Sequence, residues 1–138
     1  MANSPGSAVK LIGRILLSGV FIGSGLSKVI AFSMMTGYVA AKGLPMPAVA
    51  LGIAAAVEIV GGLAVLVGFK TKIASWILFL YLIPTTFVFH NFWALQGMEK
   101  MDNQAHFMKN LAIMGGLLIL AASGAGGYSV DARKTTAA

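Results

Sequence analysis

Apolar residues fall along this chain in long unbroken runs instead of the periodic spacing of a soluble fold. Four runs carry the pattern: 11–32 (LIGRILLSGVFIGSGLSKVIAF), 48–69 (AVALGIAAAVEIVGGLAVLVGF), 73–93 (IASWILFLYLIPTTFVFHNFW) and 107–123 (FMKNLAIMGGLLILAAS). Each is close to the ~20 residues with which a helix crosses ~30 Å of hydrocarbon. Inside lipid every backbone donor and acceptor must be satisfied within the protein. No run alternates with period two, so the pattern predicts helices and excludes strands. The expected architecture is an all-α membrane protein, a four-transmembrane-helix bundle running up-down-up-down, as a single domain over 1–138.

The connections differ in kind. SMMTGYVAAKGLPMP, 33–47, holds two prolines and predicts a short interfacial helix between the first two spans. KTK, 70–72, reads as a tight hairpin. ALQGMEKMDNQAH, 94–106, reads as the polar loop, and GAGGYSVDARKTTAA, 124–138, as a glycine-rich end with a frayed tail. Gly19 and Gly23 form a GxxxG pair in the first span. With Gly61, Gly62, Gly68, Gly115 and Gly116 they predict close helix packing, and they point to self-association as well. Pro84 should kink the third span and free a carbonyl that Thr85 or Thr86 satisfies.

Composition moves the picture from water to lipid. Hydrophobic residues make up 58% and charged residues only 10%, against about 25% charged in a soluble domain. The net charge of +6 does not indicate nucleic acid, because the cations stand singly at the ends of apolar runs and form no patch. The absence of cysteine rules out disulfides, thiolate nucleophiles and Fe–S ligation by this chain. MANSPGSAVK lacks the charged start and cleavage site of a secretory signal, so the first run is expected to be retained as a helix. With four spans, Lys10, Arg14, Lys70, Lys72, Arg133 and Lys134 share one side, and Lys28, Lys42, Lys100 and Lys109 the other. The bias places both termini in the cytoplasm.

Polar residues within the runs are the candidates for chemistry. Glu58 sits at the middle of the second run, where an ionised group is costly unless paired or functional. Arg14, Ser18, Phe21, Gly25 and Lys28 share one face of the first helix, so either cation is a candidate partner for it. Both a structural bridge and a protonatable pocket group stay open for Glu58. Lys28, His90, His106, Lys109 and Asn110 gather at the outer ends of their helices, describing a polar cup floored by Glu58. Trp93 beside them fits either an interface anchor or a ligand contact. No metal site is expected, because the two histidines sit at the rim without cysteine or acidic support.

The segments GRILLSGVFIGSGLSKV, KGLPMPAVALGIAAAVEIVGGLAVLVGFKTKIAS, FHNFWALQG and HFMKNLAIMGGLLILA resemble, in order and over nearly all of Arg14 to Tyr128, the DoxX family of membrane proteins. The resemblance implies a four-helix protein of the cytoplasmic membrane linked to quinone or redox chemistry. A quinone is then the candidate small molecule, with no covalently bound cofactor expected; because the chain has no cysteine and no haem pair, electrons would have to come from a partner, such as a soluble redox protein, or from a bound cofactor. The matching positions are Arg14, Gly25, Lys28, Glu58, Gly61, Gly62, His90, Trp93, His106, Lys109 and Asn110. Three functions stay open: a quinone-linked oxidoreductase or subunit with Glu58 as proton relay; a non-catalytic subunit docking a soluble redox enzyme; and a carrier of a lipid or hydrophobic acid.

Overall fold

A computed structural model describes residues 4–136. The first three residues of the stretch weighed as a signal, and the last two of the expected tail, lie outside the described residues. Among the described residues there are helices and no strand: α1 (Pro5–Ile30), α2 (Phe32–Ala41), α3 (Pro47–Val67), α4 (Thr71–Phe89), α5 (Gly97–Ser123) and α6 (Val130–Thr136), with a single 3-10 turn at Phe92–Ala94. Four helices are long and apolar enough to cross a membrane: α1, α3, α5, and α4 together with the turn after it.

Three boundaries depart from the sequence reading, each for a local reason. α1 begins at Pro5 because Ser4 caps it, its hydroxyl accepting from Ser7 N–H at 3.2 Å. The expected polar loop 94–106 is mostly helix: α5 starts at Gly97 and carries its polar first turns beyond the apolar run, with Asn103 bonding back to the Glu99 carbonyl at 3.0 Å. The expected frayed tail instead folds back. Asp131 accepts from the N–H groups of Lys70 (2.8 Å) and Thr71 (2.9 Å) and from the Thr71 hydroxyl (2.8 Å), capping the start of α4. Pro84 lies inside a continuous α4, and Thr85 donates to the Tyr81 carbonyl at 2.8 Å.

In lipid there is little hydrophobic push between helices, so backbone proximity has to hold the bundle. α1 and α3 run antiparallel with the closest register in the molecule. A Cβ on Gly25 would lie 2.6 Å from Ile59 and 3.2 Å from Glu58 Cβ; one on Gly62 would lie 2.9 Å from Ile22. Gly61 gives the same room to Leu78 of α4. Gly19 and Gly23, the GxxxG pair, do not pack within the bundle: both are exposed, with nothing within 4 Å of an added Cβ. The small residues that matter are on the neighbouring face, one or two positions away. Phe21, Val65, Leu78, Leu82, Leu117 and Leu120 form the buried apolar centre.

This packing makes a directional prediction. Gly25→Leu should destabilise the fold by about 1–3 kcal/mol, because the neighbour includes backbone that cannot yield. Gly23→Leu should stay within about 0.5 kcal/mol of the parent. Thermal unfolding of both purified variants in one detergent checks the contrast.

Candidate functional site

The glycine face of α1 sets Glu58 against Ser24, Gly25 and Lys28. Glu58 is buried, and the Lys28 ammonium sits 2.8 Å from Oε2 and 3.0 Å from Oε1. Lys28 also donates to Ser24 Oγ, one turn earlier, at 2.8 Å, and Ser24 donates to Glu58 Oε1 at 3.3 Å. The Tyr81 hydroxyl of α4 completes the cluster, donating to Oε1 at 2.8 Å. The carboxylate thus meets one full counter-charge and two neutral donors. That combination makes an ionised group tolerable at membrane depth.

A second polar group lies nearer the outer end. His90 caps α4 and stacks on His106 of α5, with ring centroids 5.1 Å apart and planes at 20°. His90 Nδ1 pairs with Asn103 at 3.3 Å, and Lys109 donates to His106 Nδ1 at 3.0 Å. Asn110, buried one turn inside, donates to Thr86 at 3.1 Å and ties α5 to α4. α2 closes the group from the side: Lys42, just past its end, donates to Asn91 at 3.1 Å, and the Tyr38 hydroxyl meets the Phe89 carbonyl at 3.4 Å.

Between the two groups lies a cavity of about 570 Å³. Its walls are apolar, with Met35 and Val39 of α2, Leu51 of α3, Leu82 and Val88 of α4, and Ile113 of α5. Tyr81 and His90 are nine residues apart on one helix, so the polar ends are separated by roughly 13 Å at 1.5 Å per residue.

Six of the residues singled out in the sequence line this cavity: Lys28, Glu58, His90, His106, Lys109 and Asn110. Two do not. Arg14 lies at the opposite end of the bundle, buried, donating to the Tyr128 carbonyl in the corner where Asp131 supplies opposite charge. The antiparallel register explains it: Glu58 sits level with Gly25, eleven residues or roughly 16 Å from Arg14. Gly68, left-handed at φ 71°, has to lack a side chain there because Arg14 fills the space. Trp93 packs outside the cavity in an aromatic cluster with Phe87, Phe92 and Phe107 and is more than half exposed. That is the setting of an interface anchor. Three polar lining residues went unremarked in the sequence, Ser24, Tyr38 and Tyr81. Ser24 stands one helical turn before Lys28, and that spacing was the available signal; the phenol of Tyr81, alone in the apolar run 73–93, gave no such cue.

Comparison with known proteins agrees with the fold. The DoxX family profile matches residues 9–91. The chain is 33% identical over 123 residues to the inner membrane protein YphA of Escherichia coli K12, covering 89% of this chain and 88% of that one. It is 38% identical over 124 residues to the inner membrane protein YqjF of the same organism, covering 88% of each. A shorter likeness, 37% over 76 residues, reaches the ER-derived vesicles protein ERV29 of Saccharomyces cerevisiae, of which it covers 24%. No solved structure matches significantly.

Removing one member of the buried pair should cost more than removing both. Lys28→Met leaves the carboxylate without its counter-charge, an expected loss of about 3–5 kcal/mol. Lys28→Met combined with Glu58→Gln should recover most of that, whereas Arg14→Met with Glu58→Gln should show no such coupling. Thermal unfolding of the three single variants, the two double variants and the parent decides it; additive losses for Lys28 and Glu58 would contradict the pairing.

Proposed function

The chain belongs to the DoxX family of membrane proteins, and on that premise we propose that it binds a hydrophobic small molecule of the quinone class inside its bundle. The support is the cavity: largely apolar walls with hydrogen-bonding groups gathered at its two ends, and between them Thr85, whose hydroxyl is committed to the Tyr81 carbonyl. Its volume lies within the roughly 300–1,000 Å³ typical of small-molecule sites. A quinone needs donors for its carbonyl oxygens and apolar surface for its body. The donors at the outer end are Lys109 and the imidazoles of His90 and His106; the walls are Leu51, Leu82, Val88 and Ile113.

A bound quinone supplies two-electron, two-proton chemistry. The chain's own residues seat it, exclude water from it and hold protons nearby, with the Tyr81 hydroxyl and Glu58 at the inner end. The chain holds no cysteine, so no thiol of its own supplies electrons, and a soluble redox partner is their source. This makes the protein the membrane part of a quinone-linked oxidoreductase. The second reading, a non-catalytic subunit that docks such an enzyme, draws on the closed Lys28–Glu58 pair, which braces α1 to α3 whatever occupies the cavity.

The relatives' names point to the cytoplasmic membrane, and charge points to both termini inside. Setting aside Arg14 and Lys28, which are engaged within the bundle, Lys10, Lys70, Lys72 and Arg133 stand at the end with the termini against Lys42, Lys100 and Lys109 at the other.

Two measurements test this. Protein purified from native membranes should retain quinone on solvent extraction and mass spectrometry, and added decyl-ubiquinone should raise its melting temperature. At a hundredfold excess over Kd the stabilisation is about 2.7 kcal/mol. No retained quinone and no shift would sink the proposal. A carboxy-terminal green fluorescent protein fusion should fluoresce and an alkaline phosphatase fusion should be inactive; the reverse pattern inverts the orientation.

A further inference from the structure

The cavity's hydrogen-bond inventory says which of its ends is free to hold a ligand. At the inner end the donors are committed to one another. An ammonium has three N–H bonds, and those of Lys28 face Ser24 Oγ and the two Glu58 oxygens at 2.8, 3.0 and 2.8 Å. The hydroxyls of Ser24 and Tyr81 both donate to Glu58 Oε1. The pair Lys28–Glu58 is neutral as a unit, so this floor presents an approaching molecule with neither net charge nor a spare donor.

The outer end is the opposite. Among the described residues the Lys109 ammonium makes one hydrogen bond, to the Nδ1 of His106 at 3.0 Å, and no carboxylate oxygen lies within 4 Å of it. Two of its N–H bonds are left over. The charged and titratable groups at this end are His106 and His90, stacked on each other; Lys42, bonded to Asn91; Asp102, 3.8 Å from His106 Nε2 with most of its side chain exposed; Glu99, whose charge reaches Tyr38; and the neighbouring Lys100, so that three lysines stand against two carboxylates. The rim is net cationic, and a cation facing an apolar cavity at the membrane boundary favours an anion with an apolar body.

We propose that the cavity holds its ligand head-outward, with an oxyanion head on Lys109 beside the two histidines and the apolar body running inward to the neutral floor, and that an ionised lipophilic acid is preferred over a neutral molecule of the same shape. This rests on the cavity being a binding site, and it narrows the chemistry from any hydrogen-bond acceptor to an anionic one.

The test compares dodecanoate with its methyl ester, binding each to protein in nanodiscs and to the Lys109→Gln and Lys28→Met/Glu58→Gln variants. Partition into lipid is common to all three proteins, so the acid-to-ester affinity ratio, protein against variant, is the readout. Lys109→Gln should lower the acid's affinity about tenfold, the worth of a charged hydrogen bond, and leave the ester's unchanged. The double variant Lys28→Met/Glu58→Gln, whose floor stays neutral, should keep the acid preference. An unchanged ratio in Lys109→Gln, or a preference lost only in Lys28→Met/Glu58→Gln, overturns the head-outward arrangement. Binding of decyl-ubiquinone and ester with no preference for acid refutes the anionic head while leaving the cavity a binding site; failure of all three probes to bind refutes the site itself. Lys109 is exposed, so its variant is expected to fold, and an unaltered melting temperature without ligand confirms that.

Discussion

Everything in this bundle depends on how closely α1 approaches α3. Lipid chains are as apolar as leucine, so helices in a membrane gain little by hiding apolar surface from them. Contact must come from packing and from polar bonds that the bilayer cannot replace. Gly25 and Gly62 remove the side chains that would keep the two helices apart. The approach they allow sets the register, and the register delivers Lys28 to Glu58. The ion pair is therefore a consequence of the glycines before it is a brace in its own right.

The same register separates the two cations of α1 into different tasks. Lys28 meets Glu58 on the cavity side. Arg14 closes the far end, where it meets the returning carboxy-terminal segment, while Asp131 caps α4 and Lys10 reaches the Ser123 carbonyl at 2.8 Å. The end bearing the termini is thus stitched shut by polar contacts between α1, the α3–α4 turn and the last residues. The cavity lies toward the opposite end, flanked by α2 and the ends of α4 and α5. This asymmetry gives the molecule one end with a polar-rimmed cavity and one end closed by polar contacts.

Polarity inside the cavity is graded along its length. A neutral, internally satisfied cluster lies deepest; apolar walls follow; a cationic, partly unsatisfied rim lies outermost. Buried polar groups that satisfy one another add rigidity without offering a ligand a handle. Groups with spare donors are the ones that recognise. Glu58 drew attention in the sequence because a carboxylate at membrane depth is so costly, yet Ser24, Lys28 and Tyr81 are what answer that cost. The spare donors belong instead to Lys109, an ordinary interfacial lysine by its position.

Run length and hydropathy alone determined the helical class, the four spans and the short helix before Pro45, because backbone satisfaction in lipid leaves no other local solution. The cost of burying charge likewise marked Lys28, Glu58, His90, His106, Lys109 and Asn110 as residues that had to face the interior. What only the tertiary structure decided depends on the rotation and stagger of helices distant in sequence. Arg14 and Lys28 looked equivalent from the middle of their helix, and an antiparallel offset chose between them. Gly19 and Gly23 matched a packing motif, but the rotation of α1 turned Gly25 inward instead. The glycine-rich tail looked free because its partners, Gly68, Lys70 and Thr71, lie some sixty residues earlier, and a local pattern carries no information about contacts closed over that distance.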